Sequence, residues 1–192
     1  MKLSTLGINQ LRIDESKRLR AYYDVNGYAI GYGWHYYPNG SPVRQGDRIT
    51  DAECEEQFPQ VLAQYSNGVR KLLTVSLSDN QFTALVMYAY NRGIGSFRGS
   101  RLRQMVNANP KDSRIPAQFT TEWGTNQTDK VALIKRRARE ARIWQTLDSE
   151  LDSANLLYFF LFLIFAFILY KVVKANRNIE KVPRKRTLQL ST

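Results

Sequence analysis

The chain has 192 residues, enough for one domain and an appendage, with 28 Lys and Arg against 17 Asp and Glu and a net charge of +11. At 43% hydrophobic and 23% charged it is composed as a folding chain, not a disordered one, and the positive balance points to an anionic partner: nucleic acid, acidic lipid or bacterial envelope polymer. A single cysteine, Cys54, excludes an intrachain disulfide and a four-cysteine zinc site; a lone histidine, His35, makes a poor metal centre, so no metal or other cofactor is expected.

Residues 4–14 predict a short helix capped near Ser4. Residues 19–34 are rich in aromatic and β-branched side chains around Asn26-Gly27, the strongest short hairpin signal. A two-residue turn at Asn26-Gly27 places Val25 opposite Tyr28 and Asp24 opposite Ala29. A loop rich in Pro, Gly and Ser follows. Thr50 and Glu53 have the spacing of a capping box, opening a helix to about Tyr65. Ser78–Asn91 reads as a helix with Phe82, Leu85, Val86 and Ala89 on one face, ended by Gly93 and Gly95. Further helices are expected over 100–107 (stopped by Asn109-Pro110), 116–122 and 131–148. The expected class is α+β, mostly helix with one small antiparallel hairpin sheet near the N-terminus.

The C-terminal part differs in kind. Residues 153–170 carry no charge, and 156–173 hold fourteen residues of type Leu, Ile, Phe or Val. As a helix that stretch is about 27 Å long, against ~30 Å of bilayer hydrocarbon. Its apolar residues contribute roughly −4 to −8 kcal/mol to insertion. No polar stripe marks it as a core helix, and Tyr158 and Tyr170 stand near its ends. The expectation is a domain over 1–150, a single transmembrane helix over 151–173 that enters the bilayer through 156–173, and a basic tail over 174–192. No signal peptide is read at the N-terminus.

Two acids stand out in the first part. Glu15 closes the first helix and Asp24 lies nine residues on, beside the hairpin turn. Glycosidic cleavage needs two carboxyl groups flanking the scissile bond, one of them protonated. Spacing alone does not distinguish such a pair from solvated surface charges.

The surrounding residues do. The segment LRIDESKRLRAYYDVNGYAIGYG resembles the phage-type lysozyme (endolysin) family, whose pattern runs from a helix-ending Glu through an eight-residue gap to Asp, a Gly turn and T-I-G-Y-G-H. Three more blocks resemble it in the same order: Leu77–Val86 with Tyr90-Asn91 and Gly93–Phe97; Ile115–Phe119 with Trp123; and Lys135–Glu140 with Trp144. Together they cover roughly residues 8 to 145. The resemblance implies a peptidoglycan muramidase that cleaves between N-acetylmuramic acid and N-acetylglucosamine. It implies Glu15 as general acid, Asp24 as the second carboxylate, and Tyr36, Tyr90, Ser100 and Gln118 lining the sugar cleft. It also marks a departure. Ala29 stands where the family has a Thr that helps hold the attacking water, and Trp34 lengthens the loop before His35. A lytic transglycosylase, or a degenerate structural or glycan-binding virion membrane protein, are the alternatives that this departure opens.

The expected partners are peptidoglycan glycan strands, a lipid bilayer, and, for the basic tail, anionic lipid or a packaged genome. The expected location is a single-pass membrane protein of the host inner membrane or of a phage virion's internal membrane. The run from Lys135 to Arg142 is read as a structural ion-pair network with a basic face, and His35 as a structural or loop hydrogen-bonding residue.

Overall fold

The computed structural model describes residues 1–24, 26–121, 130–148 and 161–171. The chain divides into two units, Met1–Asp148 and Ser149–Thr192.

The first unit runs α1 (Thr5–Glu15), β1 (Arg18–Asp24), β2 (Gly27–Gly31), α2 (Asp51–Arg70), α3 (Asp79–Arg92), α4 (Ile94–Gly99), α5 (Arg101–Ala108), α6 (Ile115–Thr121) and α7 (Lys130–Gln145). The α+β class expected from the sequence is the class observed, with one two-stranded antiparallel sheet among the described residues.

Local chemistry explains most boundaries. The Ser4 hydroxyl accepts the Gly7 N–H and opens α1. Thr50 and Glu53 form the expected capping box on α2, and Ser78 and Gln81 form another on α3. The helix α2 passes Tyr65 and ends at Arg70, carrying Pro59 inside it. Buried Val61, Leu62, Ser66 and Val69 hold its second half, so packing outweighs the missing N–H. Gly93 ends α3 at φ 84°, and the short helix α4, unforeseen in the sequence, starts at once and buries Phe97.

The core centres on α3. Its residues from Phe82 to Tyr90 are all buried, on every side and not on one face, because α1, α2, α4 and α7 all pack around it. Phe58, Phe97 and Phe119 are fully buried, each contributing roughly 1.5–3 kcal/mol of apolar burial.

The hairpin register differs from expectation. Asp24 pairs with Gly27, Tyr23 with Tyr28 and Tyr22 with Ala29, two residues out of step with a turn at Asn26-Gly27. The expected partner Val25 lies outside the described residues. The Asp24 carboxylate accepts the Asn26 N–H at 2.8 Å, an Asx turn that closes the chain one residue early. Tyr23 and Tyr28 then meet edge to face, ring centres 5.3 Å apart. Asp24 therefore forms the last rung of the ladder, at the hairpin tip.

In the second unit, residues 161–171 are helical with exposed apolar side chains such as Phe162 and Phe165. Among the described residues no helix is long and apolar enough to cross a membrane. The expected span over 156–173 lies partly outside the described residues, and the basic tail over 174–192 wholly so.

Candidate active site

Glu15 is placed by the end of α1. Helical geometry stops at Ser16, which adopts φ 54° while its N–H bonds the Arg12 carbonyl. The Glu15 side chain is 16% exposed, and the Arg136 guanidinium donates to its carboxylate. One turn along α7, Arg139 donates to Asp14 at 2.8 Å. Two arginines three apart on α7 thus pin the last turn of α1.

A buried network stands behind this contact. Arg136 also faces Glu140, Nε to carboxylate 3.7 Å, and Arg137 bonds Glu140 at 2.7 Å and Asn91 at 3.0 Å. Glu140 is wholly buried, and burial pushes its carboxyl up to about 7 against the pull of Arg137 and Arg136. Burial also pulls Arg137 down, so desolvation outweighs attraction in this pair. Arg136 is held above its ordinary range: burial opposes its charge, and Glu15 beside it more than offsets that.

The loop after β2 joins the two carboxylates. Ile30 and Trp34 exchange backbone hydrogen bonds, each 3.1 Å, closing a tight loop. Gly31, at φ 63°, lies on the Trp34 indole; a Cβ there would meet the ring at 2.1 Å. Gly33, at φ 85°, brings backbone up to Glu15, where a Cβ would stand 3.3 Å from Oε2. Two residues on, His35 Nε2 is 3.3 Å from Asp24 Oδ2, and its Nδ1 is 3.1 Å from the Tyr28 carbonyl. One loop therefore sets Gly33 against Glu15 and His35 against Asp24. Its anchors are the Tyr90 hydroxyl, which donates to the Tyr32 carbonyl at 2.8 Å, and the Tyr32 hydroxyl, which donates to Glu55 at 2.7 Å.

Beside His35 a groove of about 340 Å³ opens, lined by Tyr36, Gln64, Tyr65 and Ile94 among others. Tyr36 is 60% exposed and presents its ring there. Burial raises Tyr65 and Tyr22, so both hydroxyls stay neutral donors beside the acids. Tyr90 lies beneath, buried, its ring against Tyr65 and its hydroxyl committed to the loop. Ser100 is the N-cap of α5: its hydroxyl accepts the Arg103 N–H and donates to the Phe97 carbonyl. Gln118 is half-buried on α6. Ala29, fully buried, has no hydroxyl to offer. Beside the acids, the sequence marks Tyr65 only as a helix end, Arg136 only within an ion-pair run, and His35 only as a structural or loop hydrogen-bonding residue. The signal for Arg136 was its three-residue spacing from Arg139; the other two are joined to the acids only by tertiary contact.

A sequence profile of the phage lysozyme family matches residues 13–140, so it spans both acids and the arginine network. The chain belongs to the phage lysozyme family. Its relatives include the endolysin of Bacillus phage PZA, 35% identical over 149 residues, and the endolysin of Salmonella phage P22, 30% identical over 145. The first alignment covers 76% of this chain and 56% of that relative, the second 75% and 98%. The chain thus spans about half the length of the Bacillus phage relatives it matches. Among solved structures, the endolysin of Escherichia coli O157:H7 phage FAHEc1 superimposes with a TM-score of 0.66 at 30% identity, over 78% of this chain and 95% of that one.

Proposed function

We propose that the chain is a peptidoglycan muramidase of phage origin, cleaving the glycosidic bond between N-acetylmuramic acid and N-acetylglucosamine. The observation that supports this reading is that one Gly-rich loop touches both acids, Gly33 at Glu15 and His35 at Asp24, while its His35 and Tyr36 line an aromatic groove. In this reading Glu15 gives its proton to the glycosidic oxygen, the bond to the sugar C1 breaks, and water adds to C1 as Asp24 takes its proton. Arg136 orients the Glu15 carboxyl. Tyr36 and Tyr65 offer ring faces to sugar rings.

The proposal includes a membrane anchor over 156–173, supported by the apolar run and by the exposed apolar helix at 161–171. Such a tether suits action at the host inner membrane during lysis, or from a virion's internal membrane at the start of infection, with the basic tail on anionic lipid or packaged genome. A second reading, lytic transglycosylase, is favoured by Ala29, because cleavage without a held water yields an anhydro-sugar.

The test is cleavage of purified peptidoglycan by the chain and by Glu15→Gln, with product masses read. Reducing-end products, lowered about 10²–10⁴-fold in the variant, are the expected result. Anhydro products would favour the transglycosylase. Absence of cleavage by the folded chain would overturn the enzyme reading on this substrate.

A further inference from the structure

We propose that His35 is a positioning residue for Asp24, its ring set between the Tyr28 carbonyl and the Asp24 carboxylate at the hairpin tip. This role rests on the muramidase reading.

The geometry carries it. A carbonyl oxygen and a carboxylate oxygen only accept hydrogen bonds, and His35 faces one with each nitrogen, Tyr28 O at 3.1 Å and Asp24 Oδ2 at 3.3 Å. The Nδ1 contact with Tyr28 is a hydrogen bond, and Nε2 stands within ion-pair distance of Asp24. The other Asp24 oxygen, Oδ1, accepts the Asn26 N–H at 2.8 Å, so the carboxylate is gripped from the turn on one side and from His35 on the other. Ala29 supplies no third donor.

The surroundings single out Asp24 as the charge that His35 answers. Asp24 faces the ring from β1 and the Tyr28 carbonyl from β2. Around the groove stand Tyr36 from the same loop, Gln64 and Tyr65 from α2, and Ile94 at the start of α4. Of these, Asp24, Tyr36 and Tyr65 titrate, and burial keeps Tyr65 neutral near pH 7. Trp34, locked to Ile30 through the backbone, delivers His35 to this point.

The test uses the full chain. We expect His35→Gln to lower kcat at least tenfold with KM within twofold, and the double variant of His35→Gln and Asp24→Asn to be no slower than Asp24→Asn alone, since the role acts through Asp24. His35→Asn replaces the Gln variant should it fail to fold. An unchanged kcat in His35→Gln, or additive losses in the double variant, would overturn the positioning role. No cleavage by the folded wild type would overturn the muramidase reading, and the role with it.

Discussion

Glu140 shows how much a single buried group can decide. It is fully buried between Arg136 and Arg137, and its carboxyl is pushed up to about 7 from an unfolded value of 4.5. A raised carboxylate favours the folded state when protonated. Its contribution is therefore fully present below pH 4.5 and lost as pH rises through about 7, a change of about 3 kcal/mol at most. Thermal melts of the wild type should fall between pH 5 and 7.5, and Glu140→Gln should flatten that part of the slope. Arg137→Met at pH 7.5 leaves Glu140 without its 2.7 Å partner and should cost about 3–5 kcal/mol. Changing Arg137 and Glu140 together to apolar residues of similar volume should cost much less, which chemical denaturation would measure. Gly31 poses a steric version of the same question. Its positive φ and the indole at 2.1 Å from any Cβ leave Ala no room, so Gly31→Ala should cost about 1–3 kcal/mol and displace Trp34, read by tryptophan fluorescence and melting.

Among the helices, the start of α3 is the most elaborately satisfied. Beyond its capping box, the Asp148 carboxylate accepts the Asp79 and Asn80 N–H groups at 2.7 and 2.8 Å, and Asn80 Nδ2 donates to the Thr146 and Leu147 carbonyls. An acid at a helix N-terminus satisfies orphan donors and complements the helix dipole. Asp148→Ala should lower stability by about 1–2 kcal/mol, a fall of about 2–8 °C in Tm, without altering the site. The expected helix to Asp148 in fact ends at Gln145, because the chain turns to deliver this carboxylate. The same kind of competition moved the hairpin. Asn26-Gly27 reads as a turn, and the Asn26 N–H bond to the Asp24 carboxylate closes the chain one residue early, which shifts the pairing by two residues.

At the scale of the molecule, the two units divide the chemistry. Met1–Asp148 holds both acids, the groove and the arginine network. The rest holds the apolar run and seven of the basic residues. If that run anchors the chain, the full chain should sediment with phospholipid vesicles and stay with them through a 1 M salt wash, since apolar insertion is not screened. A chain ending at Asp148 should remain in the supernatant. Release of the full chain by salt would assign the attachment to the basic tail alone.

Much of this protein is written locally. Helix starts at Ser4, Thr50 and Ser78 follow from capping spacing, and α3 announces itself by apolar content. The family is legible from Glu15, Asp24 and the Gly-rich loop in order. What the sequence could not decide were the partners across the fold. Arg136 meets Glu15 across 121 residues, and Tyr90 meets Tyr32 across 58. The resemblance places Tyr90 in the sugar cleft, but it does not show that the hydroxyl bonds the Tyr32 carbonyl. His35 reads as a structural or loop hydrogen-bonding residue, which it is, but its place beside Asp24 is not written in the spacing. Local preferences set where elements begin, since caps and turns act within a few residues. Which charge faces which is set only when α7 and the loop after β2 close on the end of α1 and the hairpin tip.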